Sequence, residues 1–195
     1  MIVLWTGQTL VMAVALWLGA FGVHMFVNRR QHDFACIEHW RWPALRAGAP
    51  RVLLRFAMLG TLVAVAVWRI EPESFLALPR EKPALWLLIV VLYPALSVWP
   101  QELLYRSFLF HRYRALFGDR CGYVVTSALA FGYAHLIFLN WVAPAMTVFG
   151  GALFALGYRK HRSLALSCIE HALYGWLVFT VGLDRYFLAG AAWGH

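Results

Sequence analysis

The strongest constraint on this chain is a series of long apolar runs separated by short basic loops. Residues 2–27, 52–67, 84–110, 122–139, 142–158 and 164–181 are almost free of charge. Most of these runs are close to the roughly 20 residues that carry a helix across a bilayer core. With 62% hydrophobic and only 13% charged residues, against about 25% charged in a soluble domain, the chain could neither cover its apolar surface in water nor stay disordered. Lipid is therefore the expected solvent. In lipid every backbone N–H and C=O must be paired within its own segment or a closed barrel, and runs of this length read as helices. The expected fold is all-α, a polytopic transmembrane helix bundle of about six spans (six to eight), in one integral membrane domain over residues 1–195.

The net charge of +8 fits this reading better than a nucleic-acid partner, because the cations cluster between the apolar runs. Arg29, Arg30, Arg41, Arg46, Arg51 and Arg55 form one cluster, Arg112, Arg114 and Arg120 a second, and Arg159, Lys160 and Arg162 a third. The first run lacks a basic leader and is too long for a signal-peptide core, so it reads as a retained span. Pro94 and Pro100 interrupt the third run. One kinked span there puts all three basic clusters on the cytoplasmic side and both termini outside, whereas a break at Pro100 gives seven crossings. Trp5, Trp40, Trp42, Trp68, Trp99, Trp141 and Trp193 mostly fall near the proposed boundaries, as in an interfacial belt. Cys36, Cys121 and Cys168 have no spacing that indicates a disulfide framework or a cysteine zinc site.

A short set of polar residues lies inside the apolar runs, where each ionisable group costs a few kcal/mol. Gln101, Glu102 and Arg106 follow Pro100; His135 and His171 lie on two later runs. Glu102 and Arg106, four residues apart, share a helix face, so the guanidinium can hold the carboxylate ionised. At about 1.5 Å rise per residue from the basic boundary, Glu102, His135 and His171 lie about 15, 21 and 14 Å deep. The overlap in depth supports one shared polar site.

One carboxylate and two imidazoles can activate water for attack on an acyl carbon. Glu102 takes a proton from water, one neutral histidine aligns that water, and the other donates to the developing oxyanion. No Gly-x-Ser-x-Gly setting surrounds any serine. This chemistry requires no cofactor, but Glu102, His135 and His171 are also a plausible zinc set, and the residues alone leave both mechanisms open. Glu170, beside His171, reads equally as a second carboxylate of the site or as an interhelical partner.

The order Glu-x-x-x-Arg, Phe-x-x-x-His and a third histidine on a later span resembles the CAAX protease and bacteriocin-processing family of intramembrane endopeptidases. The resemblance covers residues 100–187, the expected catalytic half. Gln101, Glu102 and Arg106 match its Glu-Glu-x-x-x-Arg motif, Phe131 and His135 the second motif, and His171 the third. It implies that the acidic motif and the first histidine activate water, while the last histidine and a neighbouring amide form an oxyanion hole. It also implies a multi-pass protein of a prokaryotic inner membrane, acting on a membrane protein or precursor peptide, a C-terminal sorting or processing signal among the candidates.

Two positions depart from the family pattern. Gln101 stands where the first glutamate would be, and neighbouring helical residues point about 100° apart. Either a kink at Pro100 turns Glu102 into the site, or the Gln-Glu pair works as it stands, or the protein is a weak relative. Gly175 stands where the amide would be, with Asn140, Tyr174 or a backbone N–H as replacement donors. Gln101, Phe131 and Asn140 are thus the expected binding residues. Two other function classes compete: a non-catalytic membrane scaffold, maturation or immunity factor, and a b-type haem protein ligated by His135 and His171.

Overall fold

The computed structural model describes residues 6–30, 41–117 and 121–187. Trp5, His32, Cys36, His39, Trp40, Trp193, Arg120, most of the first basic loop and the end of the tail lie outside the described residues. Six helical rods follow one another. They are α1 (Thr6–Arg30), α2 (Trp42–Ile70), a continuous path made of α4 (Pro83–Tyr93), α5 (Trp99–Glu102) and α6 (Leu109–Phe117), then α7 (Cys121–Ala134), α8 (Val142–His161) and α9 (Leu164–Val181). A short α3 (Ala77–Glu81) lies in the connection after α2. The fold is an all-helical polytopic bundle, with no strand among the described residues.

Among the described residues, four helical stretches are long and apolar enough to cross a membrane: Trp42–Ile70, Pro83–Tyr113, Cys121–Phe138 and Leu164–Val181. The polarity of the bundle is inverted relative to a soluble protein. Leu54, Met58, Leu62 and Val91 are exposed, while Glu102, Arg106, Ser107, Ser127, Ser167, Glu170 and His171 are buried. Such a molecule is stable only with apolar solvent around it, and the chain is an integral membrane protein.

The third apolar run continues as one helical path through both prolines. Its distortion is spread over two widened π-helical turns, Pro94–Val98 and Leu103–Phe108, on either side of α5. A proline has no N–H to donate and its ring crowds the preceding turn, and a wider turn relieves both. The indole of Trp17 on α1 donates to the carbonyl of Leu96 at 3.0 Å, satisfying an acceptor in the first wide turn.

Local signals set the other helix ends. α2 starts at Trp42, ahead of the expected Val52, because Pro43 opens its first turn and carries the helix out through Arg46 and Arg51. Ser163 caps α9 by accepting from Leu166 N at 3.3 Å. Gly182 ends α9 at φ +95°, against the backbone of Ser74, where any Cβ would collide. Arg162 lies over the Phe110 ring, and Arg159 reaches Cys121. The basic residues that end α8 therefore lie beside Phe110 and the start of α7.

Candidate active site

Glu102 closes α5 between the two wide turns and is fully buried. Its Oε1 lies 2.8 Å from Nδ1 of His171, and its Oε2 accepts from Ser167 Oγ at 2.5 Å and pairs with Arg106 Nε at 3.2 Å. Ser167 and His171 are one turn apart on α9, so they meet the carboxylate from one face. Glu102 is thus in hydrogen-bond contact with a histidine on a later helix.

Arg106 is also fully buried. Its guanidinium lies over the Phe131 ring at 4.4 Å and the Phe154 ring at 5.2 Å. An ion pair away from water needs such added contacts, because desolvation would otherwise cancel its attraction. Phe154 also stacks on His171, with ring centroids 4.9 Å apart.

His171 has a second partner. Its Nε2 lies 3.1 Å from the hydroxyl of Tyr93 on α4. With the carboxylate accepting at Nδ1–H, Nε2 carries the lone pair and accepts the phenol proton. Two indoles fix this approach of α4 to α9: Trp86 donates to Thr180 Oγ1 at 3.1 Å, and Trp176 to Val90 O at 3.0 Å. The Tyr93 ring occupies the space that a Cβ at residue 175 would enter, which explains Gly175 sterically.

His135 stands beside this cluster and makes no hydrogen bond to Glu102. Its Nδ1 is 2.7 Å from the carbonyl of Phe131, which makes Nδ1 the donor and leaves Nε2 as a free lone pair. Phe131, Phe138 and Phe187 surround its ring with centroids at 4.6, 5.7 and 6.3 Å. Phe131 separates the imidazoles, its centroid 5.4 Å from that of His171, and at 1% exposed it is a wall of the site.

Other expected site residues stand elsewhere. Gln101 turns back along its own helix and donates to Ser97 Oγ at 2.7 Å. Asn140 donates to Phe138 O and Tyr186 O at 3.1 and 2.9 Å and accepts from Ala143 N at 2.8 Å, so its amide closes a loop and caps α8. Its expected place as a replacement donor is thereby corrected, because both arms of the amide are engaged away from Glu102. Tyr174 packs edge-on to Phe56 with its hydroxyl buried and unpartnered. Glu170 pairs with Arg55 of α2, which makes it the interhelical partner of its two readings.

Among the described residues, no three His, Cys, Asp or Glu side chains gather closely enough to hold a metal ion. Glu102 and Tyr93 engage both ring nitrogens of His171.

Reasoning from sequence missed Tyr93 and Ser167. Ser167 carried a usable signal, being four residues before His171 on the same helix. Tyr93 carried none beyond the small residue at 175, because its register depends on the wide turn that follows it.

A buried acid that orients an imidazole, with a second imidazole nearby, can supply the proton transfers that hydrolysis of an acyl bond needs. Residues 82–177 match the family described as type II CAAX prenyl endopeptidase Rce1-like. The matched stretch holds Tyr93, Glu102, Arg106, His135 and His171. No curated protein and no solved structure matches the chain.

Proposed function

We propose that this protein is an intramembrane endopeptidase that hydrolyses a peptide bond in a membrane-anchored precursor protein or peptide. The observation that carries the reading is the Glu102–His171 contact at 2.8 Å, extended to Tyr93 on one side and Arg106 on the other. The family match supports a peptide substrate. A precursor cut near its C-terminus follows from the family description and remains part of this proposal.

Both oxygens of Glu102 are engaged and none of its surface is open. In this reading the carboxylate orients His171 and does not meet water directly. The proton from water goes to His135 Nε2, the ring nitrogen left without a partner. The water oxygen bonds to the carbonyl carbon as its C=O π bond opens, and the single Tyr93 O–H turns from His171 Nε2 to donate to the oxyanion that forms. When the C–N bond breaks, His135 returns the proton to the leaving amine, so no proton is gained or lost over the cycle.

The test is cleavage of quenched, membrane-anchored peptides, both farnesylated CAAX and unmodified, by the purified protein in lipid vesicles before and after exhaustive chelation. Cleavage that survives chelation supports the acid–imidazole mechanism. Loss that zinc restores would contradict it.

A further inference from the structure

Two helices bring an unusual set of cations to one concavity at the basic end of the bundle. A cavity of about 360 Å³ is lined by Arg51 and Arg55 of α2 and by Arg159, Lys160 and His161 of α8, with Leu156 on its wall. Gly48 and Gly157 also line it. Arg51, Arg159 and Lys160 pair with no carboxylate among the described residues. Arg55 uses Nη2 for Glu170, which lies behind it at 1% exposed, while its Nε has no acceptor.

We propose that this cavity binds the phosphate headgroup of an anionic phospholipid. Four cations held in one concavity with a single carboxylate repel one another, and a phosphate oxyanion relieves that repulsion. Arginine forks suit phosphate oxygens, which accept several N–H donors at once. Cations near helix ends at a membrane surface meet anionic lipid.

The flanks distinguish a lipid from free phosphate. Leu156, four residues before Lys160 on the same face of α8, is 39% exposed, and Leu53 and Leu54 beside Arg51 and Arg55 are 54% and 64% exposed. This places apolar surface directly next to the cationic cavity, where acyl chains would lie under their own headgroup. Free phosphate would use the cations and leave that surface unused. The site is separate from the peptidase reading and stands or falls without it.

The experiment is native mass spectrometry of the full chain released from vesicles of mixed phosphatidylglycerol and phosphatidylcholine. The parent protein is expected to retain phosphatidylglycerol, and Arg51→Gln with Lys160→Gln is expected to weaken that retention about tenfold or more. Both side chains are exposed, so glutamine is compatible with the fold, and circular dichroism checks this. Arg69→Gln with Arg112→Gln removes the same charge from outside the cavity and should leave retention unchanged. Equal retention of both lipids, or equal loss in the two double variants, would overturn the proposal. Displacement of the lipid by millimolar inorganic phosphate would show a site that reads phosphate alone, which overturns the assignment to lipid.

Discussion

Tyr93 and Gly175 share one volume: the phenol ring fills the space that a side chain at 175 would need, and its hydroxyl reaches His171 Nε2 at 3.1 Å. A donor from α4 thus meets the His171 imidazole over the bare backbone of α9. Tyr93→Phe keeps the ring and removes the donor. It should lower kcat roughly tenfold to a hundredfold with little change in KM, the pattern of a contact that strengthens in the transition state. Gly175→Ala should produce a similar loss, because its Cβ displaces the ring. Steady-state kinetics on both variants checks this, and a Tyr93→Phe enzyme with the parent's kcat would remove the hydroxyl from the reaction.

Arg106 is the cation that lets Glu102 stay charged away from water. Arg106→Gln leaves a buried carboxylate without its guanidinium, which costs about 3–5 kcal/mol when one partner of a buried pair is lost. Arg106→Lys keeps the charge but not the flat face that lies against Phe131 and Phe154. Both variants should unfold at a clearly lower temperature in detergent, Arg106→Gln more so. Melting unchanged from the parent would mean that the pair contributes little to the fold.

Asn140 separates structure from chemistry. Its Oδ1 caps α8 and its Nδ2 closes the loop, so Asn140→Ala should cost about 1 kcal/mol of stability and leave kcat at the parent's value. A large fall in kcat without a fall in melting temperature would return the amide to the reaction.

Much of this architecture was legible from sequence, for identifiable reasons. Long apolar runs report helices directly, and the spacing of four from Glu102 to Arg106 reports a shared face. The order of Glu102, His135 and His171 pointed to one site, and the contact of Glu102 with His171 follows that order. Less legible were effects that depend on helix register. The two wide turns around α5 decide which side of the rod Glu102 faces, and neither proline shows in sequence how its strain will be distributed. Asn140 was misread for a related reason: a polar residue between two apolar runs can serve a site or a cap, and only the partners of its amide distinguish them.

Gln101 tests the departure from the family's two acidic residues. Its side chain turns toward Ser97, while Glu102 faces His171. Gln101→Glu should therefore add a carboxylate on the wrong side of the helix and leave turnover unchanged or lower. Initial-rate measurement decides it, and a several-fold gain would mean that position 101 reaches the reacting water.

The most direct measurement is the rate of peptide-bond cleavage in vesicles by the parent protein and by Glu102→Gln, His135→Ala and His171→Ala, each shown to be folded. General acid–base groups contribute roughly a hundredfold or more, so the parent is expected to cleave and each variant to fall by at least about that factor. Variants that process the peptide at the parent's rate would contradict the assignment of hydrolysis to the buried acid and the two imidazoles.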